Sequence, residues 1–230
     1  MAEHDLEVSP TGDGSFTLRR TDLDEPYHSA RGALQESRHV FIDAGLSRLF
    51  AGRNDSTPVV LLEMGLGTGL NALLTFDFLK RHPGSLQLHY HALETRPLDW
   101  PVIDRLNYCR NDLAEYSEKF KRLHDAPWGI PVDLDERFKL WKWNASWNDP
   151  IELPPADLVY YDAFGPRVQP ELWDESAMRR LAERLRPGGS MVTYCAQGAF
   201  KRALKAVGLQ VIALPGPPGK REMIRAVKDI

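Results

Sequence analysis

Residues 59–71 read VVLLEMGLGTGLN and decide the fold of this chain. The stretch begins as an uninterrupted apolar run, as in a strand covered on both faces, and glycines follow at positions 65, 67 and 69. Glycine lets the backbone turn tightly and approach a ligand where a Cβ would collide, while the N-terminus of a following helix presents free N–H groups. The stretch therefore predicts a strand, a small-molecule binding turn and a helix.

The spacing of these glycines separates two classes of cofactor. A dinucleotide-binding turn has the pattern G-x-G-x-x-G, whereas here the third glycine comes one residue earlier. With Glu63 two residues before the first glycine, the turn resembles the S-adenosyl-L-methionine (SAM) turn of class I methyltransferases. Glu94 closes the next predicted strand, where a carboxylate can accept hydrogen bonds from both ribose hydroxyls. A tight strand–helix connection without a ligand is the alternative interpretation.

The composition limits the classes of protein. At 230 residues with 43% hydrophobic content, the chain suits one α/β domain with a modest appendage. We predict an N-terminal extension with short strands at 1–50 and a SAM-dependent methyltransferase domain at 51–230. Cys109 and Cys195 lack metal-ligand spacing, and no secretory segment begins the chain. No apolar run approaches the roughly 20 residues of a membrane span, so we expect a cytoplasmic protein without metal or membrane association.

The predicted elements alternate between strand and helix along most of the chain. Core strands are predicted at 59–64, 86–93, 138–143, 157–162 and 190–195, and short N-terminal strands at 16–18 and 39–43. Helices are predicted at 71–81, 100–123, 171–185 and 198–207. Strands at 209–214 and 223–227 are joined without a crossover helix and must pair antiparallel. We therefore predict an α/β fold of the class I SAM-dependent methyltransferase (Rossmann-like) type, with a mostly parallel seven-stranded sheet, one antiparallel strand and a small N-terminal extension.

The acid at the end of one strand is the candidate for chemistry, because ligands of open parallel sheets bind beyond the carboxyl ends of the strands. Asp162 ends the strand at 157–162, and Phe164 and Pro166 follow it directly. Methyl transfer from a sulfonium needs an aligned, neutral nucleophile, and a carboxylate that receives or orients the proton of an amine helps. Asp162 is thus the candidate general base or clamp, and Phe164 the candidate to stack on substrate or shield the sulfonium. A cap of the following loop is the alternative role of Asp162.

Asn144 follows the strand at 138–143, and Ala145 comes next. The amide of Asn144 offers a donor and an acceptor to an adenine edge, so both residues are included among the candidates for cofactor binding. An Asx-type turn is an equally good interpretation of Asn144.

Positive charge is concentrated in the C-terminal part of the chain, although the net charge is −3. Residues 179–228 carry eleven lysines and arginines against two glutamates. Such a segment predicts a polyanion-binding face, whereas a solvated helix exterior is the alternative for the arginines of the helix at 171–185. The candidate contacts are Lys201, Arg202, Lys220 and Arg221.

Several motifs, in their order, resemble the methyltransferase domain family of the bacterial tRNA 5-methylaminomethyl-2-thiouridine biosynthesis protein MnmC. They are QESRHVF (35–41), LEMGLGTGLN (62–71), LHYHALE (88–94), YDAFGP (161–166), QPELW (169–173), LRPGG (185–189) and GKREM (219–223). The similarity covers about residues 25–227. The combination is far more specific than any one motif.

This resemblance implies SAM-dependent N-methylation of an aminomethyl group on the wobble uridine of certain tRNAs, with the anticodon stem-loop as partner. It implies that the glycine turn, Glu63 and Glu94 hold SAM and that Asp162 lies at the amine. The full candidate set for the cofactor is Glu63, Gly65, Leu66, Gly67, Thr68, Gly69, Asn71, Glu94, Asn144, Ala145 and Asp162, and for the substrate Pro166, Lys201, Arg202, Lys220 and Arg221. Family members often carry Asp in place of Asn144 and Phe in place of Leu66. Many are fused to an FAD-dependent oxidase domain, and because this chain is too short for one, we expect that activity, where it is needed, in a separate protein.

Two other functions are consistent with the same turn. One is a SAM-family transferase that acts on another small amine or metabolite, including aminopropyl transfer, which would favour several carboxylates around a polycation. The other is a non-catalytic SAM-fold module that binds tRNA. A nicotinamide dehydrogenase is disfavoured by the glycine spacing.

Overall fold

The computed structural model describes residues 5–51, 53 and 57–230. Its strands are β1 (Leu6–Pro10), β2 (Phe16–Arg20), β3 (Glu25–Pro26), β4 (Val59–Met64), β5 (Leu88–Leu93), β6 (Val132–Asp135), β7 (Phe138–Trp143), β8 (Ala156–Tyr161), β9 (Leu185–Thr193), β10 (Leu209–Pro215) and β11 (Glu222–Lys228). Its α-helices are α1 (Ala33–Ser37), α2 (Arg48–Ala51), α3 (Leu70–Arg81), α4 (Trp100–Ile103), α5 (Ser117–Asp125), α6 (Glu175–Arg184) and α7 (Gly198–Ala206). A π-helix spans Arg38–Ser47, and 3₁₀-helices span Asn111–Tyr116 and Pro170–Leu172.

Within these ranges, eight strands form one sheet in the order β10-β11-β9-β8-β4-β5-β7-β6. Neighbouring strands from β9 to β7 run parallel, whereas β11 is antiparallel to both neighbours and β6 is antiparallel to β7. The predicted fold class is confirmed. The predicted strand number needs a correction, because β6 adds an eighth strand and a second reversed one. Asp133 and Asp135 interrupt the apolar pattern of β6 while Leu134 between them is buried, so the segment lacks the composition of a strand.

The central strand β4 is buried along its whole length. Its side chains alternate between two hydrophobic clusters: Leu61 packs with the cluster that contains α3 and α5, and Leu62 with the cluster that contains α6 and α7. Because both faces of the sheet are covered, the strand requires an uninterrupted apolar sequence. The glycine turn therefore starts at the carboxyl edge of a rigid, fully packed strand.

The N-terminal residues form a three-stranded antiparallel sheet, β1-β2-β3, and then a helical run over 33–51. The strand predicted at 16–18 is confirmed within β2, but the strand predicted at 39–43 is wrong, because these residues lie in the π-helix. Phe41 is buried there against Tyr160, with ring centroids 5.0 Å apart. Periodicity alone does not distinguish a short apolar strand from a buried helix. The domain division at residue 50 stays a prediction.

The helix predicted at 100–123 is interrupted, because α4 ends at Ile103 and α5 begins at Ser117. In this break the Asn107 side chain accepts from the Phe16 backbone N at 2.7 Å and donates to the Gly14 carbonyl at 2.9 Å. Such bonds from asparagine to the backbone compete with helix formation. The break thereby ties this segment to the N-terminal sheet. None of the helices in the described ranges is both long and apolar enough to cross a bilayer.

Candidate active site

The glycine turn connects β4 to α3 at the carboxyl edge of the sheet. Gly65 has φ +88°, and a Cβ at this position would lie 2.8 Å from the carbonyl oxygen of Asp162. Gly67 has φ +50°, and a Cβ at this position would lie 3.1 Å from the ring of Tyr27. The backbone N atoms of Gly65 and Leu66 both donate to the Leu93 carbonyl at 3.0 Å. The turn is thus pinned to the neighbouring strand, and only glycine fits its closest approach.

Glu94 follows β5 and is bound to the turn by its carboxylate. Its Oε2 accepts from the Gly67 backbone N at 2.9 Å, and its Oε1 accepts from the Arg96 backbone N at 2.8 Å. These two bonds fix the plane of the carboxylate, and each oxygen keeps acceptor capacity for a further donor. A vicinal diol such as that of ribose supplies two donors in the matching arrangement.

A cavity of about 640 Å³ opens above this edge of the sheet. One wall comes from the glycine turn and the ends of β5, β7 and β8, and the facing wall comes from the N-terminal segment 20–36. The predicted site residues that line it are Gly65, Leu66, Gly67, Thr68, Asn71, Glu94, Ala145, Asp162, Phe164 and Lys220. Those outside its lining are Glu63, Gly69, Asn144, Pro166, Lys201, Arg202 and Arg221.

Asp162 lies at the floor of the cavity directly after β8. Burial, with a smaller contribution from the charge of Glu36, raises the pKa of its carboxyl group to about 7 against the opposing hydrogen bond from Asn71 and the charge of Lys220. The Asn71 Nδ2 donates to Oδ2 of Asp162 at 2.8 Å. A carboxyl group with a pKa near neutrality exchanges protons readily at physiological pH.

The loop after Asp162 is held in one conformation by side-chain bonds. The Phe164 backbone N donates to Gln169 Oε1 at 3.0 Å, and the Phe164 carbonyl accepts from Trp173 Nε1 at 2.8 Å. The Phe164 ring meets that of Tyr27 edge to face, with centroids 5.1 Å apart. These two rings come from opposite walls, so the aromatic surface beside Asp162 is fixed in place.

Three residues of the cavity lining near Asp162 were not predicted from the sequence: Tyr27, Glu36 and Tyr194. Glu36 accepts from Lys220 Nζ at 2.6 Å, and Lys220 lies 4.0 Å from the centroid of the Tyr194 ring. The Tyr194 hydroxyl donates to the Ala163 carbonyl at 2.8 Å. For Glu36, the available signal was its position inside the QESRHVF motif, whereas Tyr27 and Tyr194 carry no sequence pattern that marks a site.

Glu63 lies beneath the turn and is completely buried. Burial raises the pKa of its carboxyl group well above the usual range. Its polar neighbours are Tyr90 and Asn71, and it does not line the cavity. The contact of Glu63 with the cofactor stays a prediction.

The predicted basic residues fall into two groups. Lys201 is paired with Glu222 at 2.7 Å, and Lys220 is paired with Glu36. Arg202 and Arg221 are exposed, and in the part of the chain that the structure describes they make no ion pair.

Known proteins with similar sequences point to one chemistry. A family model described as S-adenosyl-L-methionine-dependent methyltransferase matches residues 135–229. The chain is 33% identical over 209 residues to the tRNA 5-methylaminomethyl-2-thiouridine biosynthesis bifunctional protein MnmC of Cupriavidus metallidurans, covering 87% of this chain and 31% of that protein. It is 30% identical over 215 residues to the MnmC protein of Idiomarina loihiensis, covering 89% of this chain and 36% of that protein. The chain thus spans about a third of the length of these relatives.

Solved structures agree with the sequence comparisons. The crystal structure of MNMC2 from Aquifex aeolicus matches with a TM-score of 0.77 and 25% identity, over 96% of this chain and 69% of that one. The chain has the fold of the S-adenosyl-L-methionine-dependent methyltransferases. Spermidine synthase from Thermotoga maritima matches this chain with a TM-score of 0.52 at 16% identity, which reflects the fold alone.

The cavity fits SAM on structural grounds. Gly65 and Gly67 line it with backbone that carries no side chain, and Glu94 presents acceptors for a ribose. Asn144 is exposed and lies outside the lining, whereas Ala145 lies within it. The role of Asn144 at the adenine thus stays a prediction. Within the described ranges, no group of three His, Cys, Asp or Glu side chains is arranged to hold a metal ion.

Proposed function

We propose that this protein methylates the aminomethyl nitrogen of 5-aminomethyl-(2-thio)uridine at the wobble position of tRNA. The observation that carries the proposal is Asp162, which lies at the cofactor cleft with a pKa near 7 and beside a fixed aromatic pair. The names of the MnmC relatives, which describe biosynthesis of the methylaminomethyl product, support the same substrate.

The residues of the cavity prepare the amine for attack. When bound, SAM supplies an electrophilic methyl group on a sulfonium. Asp162, as the carboxylate, accepts a hydrogen bond from the amine and takes its excess proton. The nitrogen lone pair freed in this way would be available to the methyl carbon, while Asp162 would hold the proton. The Tyr27 and Phe164 rings limit water access and orient the acceptor, so most of the acceleration comes from alignment.

Aminopropyl transfer is the second candidate, because the cavity holds more carboxylates than the sequence predicts. Asp22, Glu25 and Glu36 all line the N-terminal wall. Their charges are nevertheless compensated, because Asp22 pairs with Arg20, Glu25 pairs with Arg167, and Glu36 pairs with Lys220. A polyamine needs uncompensated carboxylates, so the pairs favour methyl transfer to a single amine.

The anticodon stem-loop of tRNA is the proposed partner. Arg202 and Arg221 offer exposed cations that can meet phosphates. A cytoplasmic location is proposed with this substrate.

The test is methyl transfer from radiolabelled SAM to tRNA isolated from cells that accumulate the aminomethyl wobble base. Mass spectrometry of the digested nucleosides should detect methylaminomethyluridine. Decarboxylated SAM with putrescine serves as the control for aminopropyl transfer. Binding of SAM by calorimetry without methylation of any tRNA would reject the proposal and favour a non-catalytic module.

A further inference from the structure

A carboxyl group lies buried beneath the cofactor turn without a cation beside it. Glu63 is 0% exposed, and the hydrogen-bonding side chains next to it are the neutral Tyr90 and Asn71. The polar side chains that face it are Tyr90, Asn71, Asp162 and Glu94, and none of them carries positive charge. An isolated carboxylate in such surroundings is strongly disfavoured, and a buried acid then takes up a proton instead.

Asn71 connects this buried acid to the reacting edge of the site. Its Nδ2 donates to Oδ2 of Asp162 at 2.8 Å, while its Oδ1 is buried without a partner. The amide therefore has a carboxyl group on either side. If both groups were ionised, they would compete for one amide and repel each other across it. A neutral Glu63 leaves the Asn71 N–H to Asp162 and leaves Asp162 as the group that carries the charge.

We propose that Glu63 is held protonated and acts, through Asn71, as a positioning residue for Asp162, rather than as an anionic partner of SAM. The inference rests on the proposed role of Asp162 as acceptor of the amine proton. It replaces the sequence-based expectation of a direct cofactor contact, in keeping with the position of Glu63 outside the cavity lining. The charged groups that face Asp162 itself are Glu36 and Lys220.

The isosteric variant E63Q separates the two roles. Glutamine keeps the size and the neutrality of a protonated Glu63, so the SAM Kd from calorimetry should stay within about threefold of wild type. The pH at which the rate is half-maximal should stay in place. If Glu63 is instead an anion, removal of its charge weakens SAM binding at least ~10-fold. It also moves the acidic limb of the pH–rate profile, where the rate falls as Asp162 is protonated, to lower pH. That result would overturn the proposal.

Urea unfolding across a pH series tests the protonation of Glu63 without any RNA. Because its folded-state pKa is raised, the folded protein keeps a proton that the unfolded chain loses above about pH 4.5. The ratio of the unfolding constants of wild type and E63Q should therefore rise up to about tenfold per pH unit above that value. A ratio that is flat with pH would reject a protonated Glu63. This outcome stays interpretable even if no tRNA is methylated.

The variant N71L tests the connection to Asp162. Loss of the amide donor should move the acidic limb of the rate to higher pH by about one unit, since a hydrogen bond to the ionised form is removed. E63Q should leave that limb unchanged, which makes it the matched control. An unchanged limb in N71L would show that Asn71 does not transmit any influence to Asp162.

Discussion

Lys220 and Glu36 stand 184 positions apart in the chain and form an ion pair of 2.6 Å in the wall of the cavity. Glu36 also accepts from the Ser29 backbone N at 2.8 Å, and Lys220 covers the ring of Tyr194. The pair joins α1 to the loop between β10 and β11 beside Asp162. Lys220 is therefore engaged within the protein, which favours a structural and electrostatic role over a contact with a phosphate of tRNA.

Removal of Lys220 should destabilise the fold more than it weakens RNA binding. The variant K220M leaves the buried Glu36 carboxylate without its cation, at a cost of about 2 kcal/mol because Lys220 is itself partly exposed. Urea unfolding measures the loss. The double variant K220M/E36Q should recover most of it. K201M should change stability little, because its partner Glu222 is 36% exposed whereas Glu36 is 9% exposed. Equal stabilities of K220M and wild type would contradict this role.

Asp162 should impose an acidic limb on the reaction. Its carboxyl group accepts a proton with a pKa of about 7, so the rate should fall as the pH decreases through neutrality, because the protonated acid no longer accepts from the amine. D162N should lower kcat by roughly 10²- to 10⁴-fold and lose the limb. The SAM Kd of D162N, measured by calorimetry, serves as the control and should change far less than kcat.

The variant D162N, which should lower activity, should raise the stability of the fold at pH 8. The folded-state pKa of Asp162 is raised from the ordinary 3.8 to about 7, so the folded protein binds a proton that the unfolded chain releases within that window. The stability that Asp162 contributes to the wild type is fully present below about pH 3.8 and is lost as the pH rises to about 7. D162N should therefore unfold at a higher temperature than wild type at pH 8 and lose this advantage near pH 4. A lower Tm of D162N at pH 8 would contradict the raised pKa.

Gly65 should tolerate substitution by alanine less well than Gly67. A Cβ at Gly65 would meet the Asp162 carbonyl at 2.8 Å with φ +88°, whereas at Gly67 it would meet the movable ring of Tyr27 at 3.1 Å with φ +50°. G65A should therefore cost about 2–4 kcal/mol of stability and abolish SAM binding. G67A is the matched comparison and should cost about 1 kcal/mol. Similar losses in the two variants would argue against backbone crowding at Gly65.

Glu94 should contribute to cofactor affinity through its two oxygens. E94Q replaces one acceptor by a donor that faces the backbone N of Gly67 or Arg96, so the SAM Kd should rise about 10- to 100-fold. Calorimetry with SAM measures the change. E118Q, on the exposed surface of α5, removes the same charge far from the turn and should leave Kd unchanged. An unaltered Kd in E94Q would remove Glu94 from the cofactor site.

The sheet and the cofactor edge could be predicted from the sequence because their signals are local. The buried strand β4 is apolar throughout, and its glycines and the acid after β5 sit at fixed distances along the chain. The bounds of β4 and β7 coincide with those predicted. Both strands end directly before candidate residues, which therefore lie at the carboxyl edge of the sheet.

The N-terminal wall of the cavity could not be predicted in the same way. Tyr27 and Glu36 reach the cavity because the N-terminal sheet and helix fold over the carboxyl edge, and no periodic pattern encodes that tertiary contact. The ion pairs of the basic residues could not be predicted either. Lys201 pairs with Glu222 and Lys220 pairs with Glu36, and no pattern in the sequence marks either acid as an ion-pair partner.

The exposed arginines should carry the salt dependence of tRNA binding. Arg202 and Arg221 make no ion pair within the described residues and are exposed, so each can neutralise a phosphate. R221Q should weaken tRNA binding and reduce the slope of log K against log salt by about 1 if it contacts one phosphate. K201Q, whose lysine is paired with Glu222, is the control and should leave the slope closer to wild type. Fluorescence anisotropy with tRNA over a salt series measures both slopes, and identical slopes for R221Q and wild type would exclude Arg221 from the RNA interface.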